Sequence, residues 1–166
     1  MEYRQEFCMT YQLLPLPLRR LTTAALLALS LWLLAGRPAL AIGLGPADPV
    51  VVVSAKSAIT SLRHEQLAAL FLAQTNRFPD GGEAVALDLP VGSALRNAFY
   101  QRIADRSQAS MKVYWTKMVF TGRGQPPREM SGSGAVRRLV ADNPAMIGYI
   151  DRAALDASVR VLEVGR

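Results

Sequence analysis

The residues Gly92, Ser93, Ala94, Leu95 and Arg96 combine types and spacing suited to holding a small anion. An apolar run over 84–89 ends at Pro90, a glycine-serine pair follows, and a helical pattern begins at once. Leu95, Ala98, Phe99 and Ile103 fall at i, i+3, i+4 and i+8, one apolar face of a helix. Ser93 is placed as the N-cap, and Gly92 permits a tight turn or a close backbone approach. A helix start leaves unpaired N–H groups at the positive end of its dipole. The donors expected here are the Ser93 hydroxyl and the N–H groups of Ser93, Ala94 and Leu95, with Arg96 as a partly exposed charge one turn in. A second basic feature is the loop 121–128, where Arg123 and Arg128 can lean toward an anion or a partner's acidic patch.

Catalysis finds little support. His64 is the single histidine and sits beside Glu65 in the first turn of a helix, the place of a solvated or capping residue. No Ser-His-Asp order, His-x-x-x-His pair or close carboxylate pair on one face stands out. The protein is therefore expected to be no enzyme and to carry no cofactor or metal.

Arg19 and Arg20 precede the apolar stretch 21–34, and Ala39-Leu-Ala41 supplies a small-x-small cleavage pattern, so residues 1–41 read as a signal peptide. The arginine pair fits either general secretion or twin-arginine export, and either Met1 or Met9 fits as the start. The apolar stretch is shorter than the ~20 residues that span a bilayer, so no stable membrane insertion is expected after cleavage. The expected location is periplasmic or secreted. The one cysteine, Cys8, lies upstream of the cut. The leader holds four basic and two acidic residues, which leaves 15 against 11 in the domain 42–166. That modest, scattered positive charge in an exported chain argues against nucleic acid. It suits an anionic ligand, an anionic membrane surface or nothing specific.

The elements that must position the glycine-serine junction alternate along 42–166, which is long enough for one domain with a real core. Strands are expected over 50–53, 84–89, 146–150 and 159–164, and helices over 62–72, after Ser93, after Ser107 and over 135–142. Met111, Tyr114, Trp115, Met118 and Val119 form a stripe expected to pack in the core. Leu67, Phe71, Leu95, Phe99, Trp115 and Ile147 are expected to be deeply buried. The alternation predicts an α/β domain, one mostly parallel sheet with helices on both sides.

Four segments in series carry a family resemblance. Residues 62–80 resemble the L-x-x-x-x-L-x-x-I-F-x-G-K-x-x-x-W-x-D segment of phosphate-binding proteins of ABC transporters, type II periplasmic binding proteins. Gly92-Ser93 falls at the glycine-serine of that family's R-x-D-G-S-G-T phosphate loop. Residues 131–136 are similar to its glycine-rich helix start, and 146–150 to its I-G-Y strand. The chain departs from the pattern at Leu89, Val91 and Leu95, where the family has Arg, Asp and Thr, at Ala73-Gln74 for Gly-Lys, and at Phe78 for Trp. The resemblance implies a single periplasmic-binding-protein-like lobe of the small branch, without the family's first lobe. It further implies weak binding of phosphate or another small oxyanion at Gly92, Ser93, Ala94, Leu95 and Arg96, with Arg123 assisting. The partners it implies are an ABC permease, a sensor protein or a second subunit. The retained glycine-serine helix start and the positive charge favour that binding role, whereas the lost loop residues favour the alternative, a periplasmic interaction or sensory accessory module that keeps the fold without tight ligand binding.

Overall fold

The computed structural model describes residues 48–165; the expected leader and its cleavage site lie outside them. Strand β1 (Pro49–Ser54) is buried along its whole length, as its run of four valines requires. It lies inside a five-stranded sheet of order β4-β3-β5-β1-β6, made with β3 (Val85–Asp88), β4 (Arg128–Glu129), β5 (Met146–Asp151) and β6 (Val159–Val161). Helices α1 (His64–Phe71), α2 (Ala94–Ala104), α3 (Gln108–Phe120) and α4 (Ser133–Asp142) complete the domain.

The sheet is mixed, which corrects the mostly parallel expectation. β3 runs parallel to β4 and β5, but β1 is antiparallel to both β5 and β6. Helix–strand alternation fixes the order of elements and not the number of traverses between strands. Here α1 and the stretch after it bring β3 in from the end of the sheet at which β1 leaves.

The last expected strand also divides. Val159–Val161 joins the main sheet, whereas β7 (Glu163–Gly165) pairs in parallel with β2 (Ser61–Arg63) as a separate two-stranded sheet. The start of the expected helix 62–72 is therefore extended. Leu62 lies opposite Val164 with its side chain in the core, and the helix begins only at His64.

Both faces of the main sheet are covered. In register, Val51 lies opposite Tyr149 and Val52 opposite Gly148, so alternate residues point to opposite faces. The Tyr149 ring stacks on Phe99 at 3.8 Å and meets Phe71 edge-on, which seats α1 and α2 on one face. On the other, a Cβ at Gly148 would stand 2.4 Å from Val136 Cγ1, so α4 approaches as closely as only glycine allows. All six residues expected to be deeply buried are so. The α3 stripe holds at Met111 and Trp115 and thins at Tyr114 and Met118, but Val119 is exposed, because the final turn of the helix runs past the core.

Candidate functional site

The start of α2 is built as the residue types dictate. Gly92 takes a positive φ of 90°, which swings the chain from Pro90 into the helix. Ser93 is extended, and its Oγ accepts the Arg96 N–H at 3.3 Å. The Ser93 N–H, expected to be free, donates to the Pro90 carbonyl at 3.1 Å. The N–H groups of Ala94 and Leu95 find no acceptor among the described residues. The helix start thus keeps two backbone donors and a hydroxyl.

Arg96 departs from its expected partial exposure, since only 5% of it is accessible. Its Nε donates to Asp88 Oδ2 at 2.9 Å, and Asp88 is itself buried at the end of β3. The carboxylate also accepts the Tyr100 hydroxyl at 2.9 Å, the Leu89 N–H at 2.8 Å and the Tyr149 hydroxyl. Burial alone would lower the affinity of the guanidinium for its proton, but the charge and hydrogen bond of Asp88 hold Arg96 above its ordinary value. Both tyrosines are pushed well above theirs, first by burial and then by the Asp88 charge, so each stays protonated and donates. The network consumes Nε of Arg96. The guanidinium that carries its two terminal nitrogens also packs over the Tyr100 ring, 5.1 Å from its centroid.

Those nitrogens belong to a side chain that lines a cleft of about 260 Å³ between the start of α2, α3 and the segment before β4. From α3 come Gln108, Met111, Lys112, Trp115 and Thr116; Pro126, Pro127 and Glu129 close the far side. Gln108 accepts from Asn97 at 3.4 Å through its oxygen, and its amide nitrogen is 3.7 Å from where a Cβ on Gly92 would be. Glu129 accepts the Val91 N–H at 3.3 Å and so ties the junction to β4.

Of the residues singled out in the sequence, Gly92, Ser93, Ala94, Leu95 and Arg96 come together at one helix start, and Arg96 alone of these lines the cleft. Arg123 is exposed in the turn after α3, its N–H on the Met118 carbonyl, and does not line the cleft. The basic loop reaches the site through its prolines instead. Lys112, Gln108 and Trp115 were not singled out as site residues, because on α3 they read as one solvated and one packed face. Exposed His64 meets the Arg102 carbonyl at 3.1 Å through Nε2. Among the described residues no group of three or more His, Cys, Asp or Glu could hold a metal ion, and no helix is long and apolar enough to cross a membrane.

No protein-family profile matches the chain, and no curated protein matches it. Solved structures do. An ABC-type phosphate transport receptor from Vibrio cholerae aligns with a TM-score of 0.56 at 17% identity, covering 70% of this chain and 45% of its own. A Clostridium perfringens structure with bound phosphate, described as a candidate phosphate ABC transporter substrate-binding protein, gives 0.54 at 20%, covering 70% and 44%. PstS from Borrelia burgdorferi gives 0.52 at 14%, covering 70% and 46%. The chain therefore has a single-lobe fold resembling these receptors, and it spans less than half of their length.

Proposed function

We propose that this protein is an exported binding module, residues 42–166 after loss of a signal peptide 1–41, that takes phosphate or another small oxyanion weakly at the start of α2. The observation that carries the reading is the pair of unspent N–H groups on Ala94 and Leu95, followed directly by the positively charged Arg96. Gly92 sets the turn, the Ser93 hydroxyl adds a donor, and Arg123 contributes long-range attraction from the surface. A role in binding fits fold neighbours named as transport receptors and binding proteins. An ABC permease or a sensor in the periplasm is the partner that such a module would serve.

A half-site open to water gives weaker hydrogen bonds than one closed between two lobes. Affinity in the micromolar to millimolar range is expected, about 4–8 kcal/mol of binding free energy. Calorimetric titration with phosphate, sulfate and acetate tests this. Binding that weakens as salt rises and weakens further in Ser93→Ala supports the proposal. No heat with any anion at millimolar concentration overturns it.

One observation favours a second reading, an interaction module. Val119 and Phe120 at the end of α3 are 53% and 92% exposed, an apolar edge on a chain that spans under half of its fold neighbours. A second subunit or a sensor receptor would cover it.

A further inference from the structure

From the outward face of α3 we infer a docking surface for an amphipathic helix of another protein, one that carries acidic side chains along the flanks of its apolar stripe. The inference rests on the interaction-module reading and names the chemical character of the partner.

The rotation of α3 is fixed from the inside. Met111 and Trp115 are buried, Tyr114 and Met118 are half-buried, and the Tyr114 hydroxyl donates to the Leu72 carbonyl at 2.7 Å. The opposite face therefore points away from the domain, where a helix is ordinarily charged or polar. Here it is a row of Ala109, Val113, Thr116 and Phe120, all exposed, with Val113 at 70% and Phe120 at 92%.

The spacing of the row indicates the shape that covers it. Steps of 4, 3 and 4 residues are the alternation of d and a positions in a heptad, the seam along which one helix lies on another. Thr116 is small and sits between Val113 and Phe120, and with Trp115, Val119 and Phe120 it lines a shallow hollow. A side chain of a facing helix fits such a hole. One bulky aromatic among small residues gives a lipid surface little to bury.

The charge indicates the partner's sequence. Lys112 and Lys117 take the g and e positions that flank the row, and neither forms a salt bridge among the described residues. From Arg106 to Arg128 the chain holds five basic residues and no acidic one. Two copies laid in parallel would set Lys112 of one against Lys117 of the other, with no acidic residue on either face to offset them. Glutamates or aspartates flanking the partner's stripe would pair across the seam and select it.

The probe is a labelled helical peptide of about three heptads, with Leu at a and d and Glu at e and g; a twin carries Lys at e and g. Fluorescence anisotropy at low salt follows their binding to the full chain, and comparison among full-length variants cancels any binding away from α3. The Glu peptide is expected to bind at least tenfold more tightly than its Lys twin. Phe120→Ala, at a side chain already 92% exposed, keeps the fold and is expected to weaken the Glu peptide at least fivefold. Lys112→Glu with Lys117→Glu is expected to reverse the preference, so that the Lys twin binds more tightly. Equal binding of the two peptides, or a Glu-peptide affinity unchanged in either variant, overturns the inference. If the peptides fail to bind while the full chain self-associates, or sediments with phosphatidylserine vesicles, in a way that Phe120→Ala abolishes, the acidic-helix inference falls and the interaction reading stands. If Phe120→Ala changes none of these, both fall.

Discussion

Asp88 shows how one buried carboxylate sets a site. It satisfies Tyr100, Tyr149, Leu89 and Arg96 together, so a change at any of them is felt at the cleft. Asp88→Ala strands a buried guanidinium and is expected to cost about 3–5 kcal/mol in urea unfolding. The tyrosines make stability depend on pH at the alkaline end. Both have folded-state pKa values raised above the ordinary 10.0, so the folded protein keeps protons that the unfolded chain releases. Their contribution is complete below pH 10 and declines as pH rises further. Chemical unfolding at pH 8 and pH 11 should show lower stability at pH 11, and the drop should shrink in Tyr100→Phe with Tyr149→Phe. A drop of the same size in that double variant would contradict the assignment.

At the scale of elements, the close approach of α4 to β5 depends on Gly148. Gly148→Ala puts a methyl 2.4 Å from Val136 Cγ1 and should destabilise by about 1–3 kcal/mol, measured as a lower urea midpoint with unchanged slope. The Ser93→Ala change removes an N-cap contact and should cost about 1 kcal/mol. These elements were largely legible in the sequence because their signals are local. The β-branched run 50–53, the Ser93 and Ser107 caps and the α2 face each follow from nearest neighbours. Strand direction was not legible, since pairing β1 against β5 depends on residues nearly a hundred positions apart. Leu62 failed for a similar reason. Its spacing suits a helix, but its partner Val164 draws it into a strand. At the site, the sequence marked Arg96, and its burial on Asp88 eight residues earlier required the fold to bring strand and helix together. The α3 wall went unread because Trp115 serves the core and the cleft at once.

For the whole molecule, a single lobe of a receptor-like fold leaves the start of α2 facing water and an apolar edge at Val119 and Phe120. Phe120→Glu adds a charge where 92% of the side chain is already exposed, so monomer stability should be unchanged within about 0.5 kcal/mol. If the interaction reading holds, sedimentation should show self-association or partner capture that this variant loses. If the Ala94 and Leu95 N–H groups hold an anion, as proposed, their own resonances must respond to it. Amide chemical shifts recorded during titration with phosphate test this most directly. The Ala94 and Leu95 resonances are expected to shift saturably in the micromolar to millimolar range, and added salt should weaken the response. Saturable shifts confined to other residues, or no shift at tens of millimolar anion, would contradict it.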